Sequence, residues 1–152
     1  MPTSLKAGDR APTFKAETGD GSTLARKDLA KKPYVLYFYP RDNTPGCTRE
    51  AQSFRDAMPK LRRRGIAVVG VSTNSVSSHE RFAANHELPF PLLADTDGKI
   101  ATAYGVLKES GKSAERVTFL IDARGIIRRV WPKVTVTGHA QDVLDAIDEL
   151  GL

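Results

Sequence analysis

The chain has 152 residues, of which 40% are hydrophobic and 27% are charged. This length and composition fit one globular domain with its own core and exclude a disordered chain. One cysteine excludes a disulfide framework, and no apolar run approaches the roughly 20 residues that cross a membrane. Since residues 1–10 lack a signal-peptide pattern, we expect a single domain over residues 1–152 in the reducing cytoplasm.

The net charge of +5 comes partly from short basic clusters at residues 31–32, 62–64 and 128–129. Such clusters can attract an anionic partner over long distances. They are brief, however, and no aromatic residues are interleaved that could stack on bases. We therefore expect solvated surface charge and no nucleic-acid partner. The arginines at 62–64 followed by Gly65 predict a helix C-terminus.

The first half of the chain predicts a hairpin, a strand and a helix. Turn residues at 18–22 predict a small hairpin within residues 11–29. The β-branched and aromatic run at 34–39 predicts a strand buried on both faces in the centre of a sheet. Apolar residues then recur at helical spacing, at Ala51, Phe54, Met58 and Leu61. Pro59 is expected to bend this helix.

The second half continues the alternation of strands and helices. Residues 66–71 predict a second buried strand, and Ser77 with Glu80 predicts a capping box for a helix through about Asn85. A short strand, a short helix, a hairpin and a last amphipathic helix follow, at 91–94, 99–104, 116–131 and 143–150. This order predicts an α/β fold with a mixed sheet covered on both faces.

Cys47 lies at the predicted turn from strand to helix, where open α/β sheets usually place their sites. A thiol in the first turn of a helix meets unpaired N–H groups and the positive end of the helix dipole, which favour the thiolate. A lone cysteine is more often a small buried hydrophobe. The polar turn at 44–46 and the polar residues at 48–50 favour a reactive thiol instead.

Other thiol chemistry and metal binding find no support in the sequence. A thioredoxin-type dithiol needs a second cysteine at position 50, where the chain has Glu50. His79, His86 and His139 fall on predicted helices or helix starts without a matching motif, so none is predicted as a base for acyl transfer. His79 and His86 are seven residues apart, unlike close metal ligands. We expect surface histidines, no metal and no cofactor.

The residues around Cys47 resemble a known family. Residues 38–50, Phe-Tyr-Pro-Arg-Asp-Asn-Thr-Pro-Gly-Cys-Thr-Arg-Glu, are similar to the signature of peroxiredoxins. Pro40, Thr44 and Cys47 match the family's proline, threonine and peroxidatic cysteine. Residues 115–122 resemble the later segment that supplies the family's active-site arginine, which is Arg116 here.

The residues of these motifs, together with residues 131–136 and the Gly138-His139 pair, resemble the bacterioferritin comigratory protein (PrxQ) subfamily. The likeness spans nearly the whole chain and implies a thioredoxin fold. It also implies a thiol-dependent peroxidase that reduces hydrogen peroxide and organic hydroperoxides through a cysteine sulfenic acid, in antioxidant defence and redox homeostasis.

The resemblance implies a role for each matched residue. Arg116 is expected to donate to the thiolate and to a peroxide oxygen, and the Thr44 hydroxyl is expected to contact the peroxide. Pro40 is expected to form an apolar wall that limits water around the thiolate. Two roles stay open for Glu50, which either orients the arginine or simply complements the helix dipole.

Gln52 stands where many PrxQ relatives carry a second, resolving cysteine, five residues after the first. The resemblance therefore implies a one-cysteine enzyme that needs an external thiol: thioredoxin, glutaredoxin or a small thiol. It favours a monomer or a weak homodimer. An alternative is a redox sensor or binding protein that uses Cys47 without turnover, which steady multiple turnover would exclude.

Overall fold

The fold begins with a two-stranded hairpin. The computed structural model describes residues 3–152. Strands β1 (Lys15–Glu17) and β2 (Thr23–Ala25) pair antiparallel across the turn at 18–22. A short 3-10 helix, Arg26–Leu29, follows directly. The predicted N-terminal hairpin is confirmed.

A mixed five-stranded sheet forms the centre of the fold, in the order β5-β4-β3-β6-β7. Strand β3 is parallel to β4, and β4 to β5, whereas β6 is antiparallel to both β3 and β7. These strands span Tyr34–Phe38 (β3), Ala67–Ser72 (β4), Leu92–Ala94 (β5), Val117–Ile121 (β6) and Ile127–Trp131 (β7). The mixed sheet and the central place of β3 are as predicted.

Four helices connect or follow the strands. They are α1 (Pro45–Arg63), α2 (Val76–His86), α3 (Lys99–Ala103) and α4 (His139–Leu150). Helix α1 continues through Pro59 and ends as predicted, with Arg62 in its last turn and Gly65 at a φ of 70°. No helix in the described part of the chain is long and apolar enough to cross a membrane.

The predicted start of α2 is wrong. Ser75, and not Ser77, is the N-cap, and its hydroxyl accepts a hydrogen bond from the Ser78 amide at 3.2 Å. Two serines near the helix start both fit a cap in sequence. The chain leaves β4 at Ser72 and must turn into the helix within a few residues, so the earlier serine takes the extended cap conformation.

Alternate residues of β3 enter two apolar clusters, one on each face of the sheet. Val35 and Tyr37 pack in the cluster that contains α1, α2 and α4 side chains, whereas Leu36 and Phe38 pack in the cluster that contains α3. All four are fully buried. A strand that is covered on both faces has a continuous apolar run in its sequence. This pattern explains why the sequence predicted strand β3 correctly.

The sheet topology brings the ends of different segments to one edge. The parallel strands β3, β4 and β5 all end at this edge, and α1 starts there after the loop that follows β3. Because β6 runs antiparallel to β3, with Val117 opposite Phe38, β6 begins at the same edge. Arg116, which immediately precedes β6, is thereby placed beside the start of α1.

Candidate active site

Cys47 is the third residue of α1, which has Thr44 as its N-cap and Pro45 as its first residue. The helical hydrogen-bond ladder begins with the Thr48 amide, which donates to the Thr44 carbonyl at 2.9 Å. The amides of Gly46 and Cys47 precede this ladder and have no acceptor within the helix. The sulfur therefore lies at the positive end of α1, as the sequence predicted.

The Cys47 sulfur is buried beneath a guanidinium. Arg116 donates from Nη2 to Cys47 Sγ at 3.2 Å, and Cys47 is 1% exposed. These two residues are 69 positions apart in the chain. A fixed positive charge in contact with sulfur attracts negative charge on that atom. The helix start and Arg116 thus act on the same atom.

Glu50 holds the other side of this guanidinium. Arg116 donates from Nη1 to Glu50 Oε1 at 2.7 Å, and the Glu50 side chain is 1% exposed. Glu50 follows Cys47 by three residues on α1, so both lie on the helix face that meets Arg116. Of the two roles left open by the sequence, the contact agrees with a carboxylate that orients the arginine.

The surroundings of this site shift the pKa values of Glu50 and Arg116. Burial raises the pKa of Glu50 to about 7, although pairing with Arg116 lowers it. Burial also opposes the charge of Arg116, but Glu50 and the Cys47 sulfur outweigh it, so the pKa of Arg116 lies above its ordinary value. Glu50 Oε2 is buried and has no hydrogen-bond partner among residues 3–152. Arg116 is therefore cationic, while Glu50 titrates near neutrality.

Gly46 makes room for this arrangement, a role that its place in the sequence did not predict. A Cβ at Gly46 would lie 3.2 Å from Arg116 Nη2, closer than ordinary van der Waals contact. The available signal was the glycine directly before the cysteine in Thr-Pro-Gly-Cys. Without knowing that Arg116 packs there, this glycine looked like an ordinary turn residue.

Thr44 and Pro40 belong to the loop between β3 and α1. Thr44 occupies the N-cap position of α1, but its hydroxyl accepts no hydrogen bond from the helix amides. The hydroxyl instead donates to the Arg41 carbonyl at 2.9 Å, so its oxygen lone pairs stay free to accept. Both residues are half-buried. Within the described residues, hydrogen bonds join Cys47, Arg116 and Glu50, and neither Thr44 nor Pro40 bonds to these three.

Two of the three histidines expected on the surface are buried, so that prediction is wrong for them. His79 is 0% exposed and His139 is 2% exposed, whereas His86 is half-buried. His139 Nε2 lies 2.8 Å from the Thr118 hydroxyl. Burial lowers the pKa of His139 to about 4, a value in which the raising effect of the Asp142 charge and the lowering effect of the Arg116 charge are included, so this histidine is neutral at pH 7.

These histidines were misplaced because helical position alone does not say which face is covered. His79 shares a face of α2 with the buried Phe82, three residues later, and that spacing was the available signal. His139 is the first residue of α4, where its ring packs edge-on against Phe54 and Trp131.

Gln52 lies on α1, one turn beyond Cys47. Its amide nitrogen is 3.4 Å from His86 Nδ1 on α2. The chain's one cysteine, Cys47, is a free thiol. Residues 3–152 contain no group of three or more histidine, cysteine, aspartate or glutamate side chains arranged to hold a metal ion.

Comparisons with known proteins identify the family of the chain. Residues 7–130 match the AhpC/TSA family. A Bcp homologue of Coxiella burnetii is 44% identical over 147 residues, covering 93% of this chain and 97% of that protein. Peroxiredoxin Bcp of Bacillus subtilis is 38% identical over 153 residues, covering 97% of this chain and 98% of that protein.

Solved structures show the same fold. Peroxidoxin BcpB of Mycobacterium tuberculosis superposes with a TM-score of 0.90 at 32% identity, covering 96% of this chain and 98% of its own. The bacterioferritin comigratory protein of Xanthomonas campestris gives a TM-score of 0.86 at 35% identity, with 91% and 92% covered. The predicted thioredoxin fold is confirmed. The chain belongs to the AhpC/TSA family of peroxiredoxins, among its Bcp/PrxQ members, as a one-cysteine form.

Proposed function

We propose that Cys47 is the peroxidatic thiol of this thiol-dependent peroxidase and that it reduces hydrogen peroxide and organic hydroperoxides. The observation that carries the proposal is the 3.2 Å contact between Arg116 Nη2 and Cys47 Sγ at the start of a helix. Organic substrates are further supported by the Xanthomonas campestris relative, which is described by its alkyl peroxide reduction activity.

In the reaction, the Cys47 thiolate attacks one peroxide oxygen and the O–O bond breaks. Sulfur is oxidised to a sulfenic acid, and the peroxide is reduced. The second oxygen leaves as hydroxide or alkoxide and takes up a proton to become water or an alcohol. Negative charge spreads from sulfur over both oxygens in the transition state, so donors held around these atoms accelerate the step.

Arg116 and the start of α1 supply those donors. One nitrogen of the guanidinium contacts sulfur and the other is held by Glu50, which fixes the plane of the group. The amides of Gly46 and Cys47 have no helical acceptor and are free to bind a peroxide oxygen. No part of this donor set has to reorganise when the transition state forms, which is the advantage of preorganised electrostatics.

Thr44 and Pro40 complete the proposed site. Since the Thr44 hydroxyl already donates to the Arg41 carbonyl, its oxygen is directed to accept a hydrogen bond from the peroxide O–H. Pro40 has no N–H and contributes an apolar wall against water. Glu50 is a positioning residue that acts through Arg116 and not on the peroxide.

The catalytic cycle requires a thiol from another molecule, since the chain has no second cysteine. A thiol attacks the Cys47 sulfenic acid, water leaves and a mixed disulfide forms, which a second thiol then reduces. Thioredoxin, glutaredoxin and small thiols are the reductant classes we propose, in a reducing compartment such as the cytoplasm. We further propose one domain over residues 1–152 that acts as a monomer or weak homodimer.

Single-turnover oxidation followed by a reductant screen tests this function. The reduced protein is mixed with hydrogen peroxide or an alkyl hydroperoxide, and loss of the Cys47 thiol is followed by tryptophan fluorescence and mass. Each reductant is then added with excess peroxide, and peroxide consumption is recorded. Cys47→Ser is the control and is expected to consume none.

Three outcomes are distinguishable. Sustained consumption over many equivalents supports the peroxidase. One stoichiometric oxidation with every reductant would instead support the non-turnover sensor. An intact, reduced Cys47 that does not react with any peroxide would contradict both.

A further inference from the structure

A buried polar cluster lies beside the site and has no part in the steps described above. Its centre is the carboxylate of Asp42, which is 5% exposed, and the ring of His79, which is fully buried. The distance from His79 Nδ1 to Asp42 Oδ2 is 2.7 Å. Two groups that prefer water have thus been placed in the interior together.

Every polar atom of this pair is occupied. Asp42 Oδ1 accepts from the Tyr39 hydroxyl at 2.6 Å, and Oδ2 also accepts from the Ser78 hydroxyl at 2.8 Å. His79 Nε2 lies 2.9 Å from the Leu93 carbonyl. A carbonyl can only accept, so Nε2 donates to it, and Nδ1 forms the hydrogen bond to Asp42.

The cluster ties the active-site loop to the rest of the fold. Asp42 is the middle residue of the loop that runs from Pro40 to Thr44. Besides the bonds to its carboxylate, its amide donates to the Asn74 side chain at 3.0 Å. The loop is therefore held by Tyr39 directly after β3, by the segment after β4, by α2 and, through His79, by β5.

The loop turns through a left-handed residue directly beside Asp42. Asn43, between Asp42 and Thr44, has a φ of 65°, in the left-handed region. Arg41, on the other side of Asp42, supplies the carbonyl that fixes the Thr44 hydroxyl. A small movement at Asp42 would therefore move both Thr44 and its partner.

Stability alone does not explain this pair. In many cases a buried polar pair stabilises a fold no more than a well-packed apolar pair of the same size, because both polar groups must be desolvated. Hydrogen bonds have a fixed direction, which apolar contacts lack. The Asp42–His79 pair therefore fixes the orientation of the groups that it joins. That property matters where a loop must present a hydroxyl to a reacting atom.

We propose that His79 is a positioning residue for peroxide reduction: through Asp42, it holds the loop 40–44 so that Pro40 and Thr44 meet the peroxide at Cys47. The inference rests on the function proposed above. It predicts that loss of His79 slows the reaction of Cys47 with peroxide while leaving the contact between Arg116 and the sulfur in place, since the hydrogen bonds of Arg116 go to Cys47 and Glu50 and not to this cluster.

Two reactions of the same sulfur separate these effects. Oxidation by hydrogen peroxide needs the loop, whereas alkylation by iodoacetamide needs only an accessible thiolate. In His79→Leu, we expect the rate constant for oxidation to fall about tenfold to a hundredfold and the alkylation rate to change less than about twofold. His79→Asn, which keeps a donor toward Asp42, is expected to recover most of the oxidation rate.

Two further variants test whether a slower reaction in His79→Leu merely reflects a less stable fold. Ser78→Ala removes one bond to Asp42 from a half-buried serine and is expected to slow oxidation by a smaller factor in the same direction. Tyr104→Phe removes the 2.6 Å bond from the Tyr104 hydroxyl to the Pro12 carbonyl on the other side of the sheet and controls for general loss of stability. It is expected to leave both rates unchanged.

The proposal is overturned if folded His79→Leu and Ser78→Ala oxidise at the wild-type rate, or if oxidation and alkylation slow by the same factor. It is also overturned if Tyr104→Phe slows oxidation as much as Ser78→Ala does. Failure of the proposed function is a separate result, since then the wild-type protein would not react with peroxide either.

Discussion

Gly46 lies directly against the guanidinium of Arg116, and a Cβ there would be 3.2 Å from Nη2. We therefore predict that Gly46→Ala displaces Arg116 by a few tenths of an ångström and slows Cys47 oxidation about tenfold. Alanine is a better helix former than glycine, so thermal stability should stay the same or rise. Stopped-flow oxidation and thermal unfolding measured together test this, and a slower rate that merely follows a lower melting temperature would contradict it.

Replacing Arg116 should affect both the oxidation rate of Cys47 and the stability of the fold, and a second substitution at Glu50 separates the two effects. Arg116→Met should slow oxidation about a hundredfold to a thousandfold, the usual cost of losing a preorganised donor. At pH 7 it should also destabilise the fold by about 1–3 kcal/mol, because Glu50, whose pKa lies near 7 even beside the arginine, would be left buried without a partner. Adding Glu50→Gln should recover most of that stability and none of the rate. Urea unfolding measures the stability, and single-turnover kinetics measure the oxidation rate. Recovery of both the stability and the oxidation rate in the double variant would contradict the proposed role of Arg116.

The Thr44 hydroxyl is predicted to act as an acceptor for the peroxide. Thr44→Val keeps the shape of the side chain but removes the oxygen, and it should slow oxidation about tenfold to a hundredfold. Thr44→Ser retains the hydroxyl and should stay within a few-fold of the wild-type rate. The iodoacetamide reaction of Cys47 serves as the control and should be the same in all three proteins. Equal oxidation rates in the valine and serine variants would show that the hydroxyl has no part.

Glu50 and His139 should give opposite dependences of stability on pH. The pKa of Glu50 is raised by burial, from 4.5 to about 7, so its contribution is present below pH 4.5 and is lost as the pH rises to about 7. The pKa of His139 is lowered by burial, from 6.5 to about 4, so its contribution is present above pH 6.5 and is lost as the pH falls to about 4.

Between pH 4.5 and 6.5 the contributions of Glu50 and His139 to the pH dependence of stability have opposite signs and nearly cancel in the wild-type chain. A variant that removes one of the two groups should therefore show the pH dependence due to the other. Glu50→Gln should lose stability on acidification across this window, and His139→Gln should gain it, each by on the order of 3 kcal/mol at most. Free energies of unfolding in urea at several pH values measure both slopes. Parallel curves for the two variants would contradict the assignments.

Local pattern predicted the parts of the fold that are decided locally. The run that became Tyr34–Phe38 is apolar without interruption because both of its faces are covered, and Gly65 ends α1 because it takes a positive φ. The contact between Arg116 and Cys47 joins residues 69 positions apart, and no periodicity contains that information. Resemblance to a family supplied Arg116, while its geometry came from the antiparallel placement of β6 beside β3.

What the sequence missed depends on neighbours from other elements. His79 is a buried residue because Asp42 and the Leu93 carbonyl face it, and neither lies near it in the chain. Gly46 matters only because Arg116 packs against it. The role of Glu50 was left open for the same reason. The sequence shows neither that α1 starts at Pro45, which places Glu50 beyond the first turn and makes the helix-dipole role wrong, nor that Arg116 faces Glu50.

The single cysteine also decides how long the oxidised enzyme persists. With Gln52 one turn after Cys47 and no second thiol in the chain, the sulfenic acid lasts until a molecule of reductant collides with it. Its lifetime is therefore inversely proportional to reductant concentration. During that interval a second peroxide can carry sulfur to the sulfinic acid, which ordinary thiols do not reverse. The ratio of peroxide to reductant, and not either concentration alone, sets the fraction of enzyme lost in each turnover.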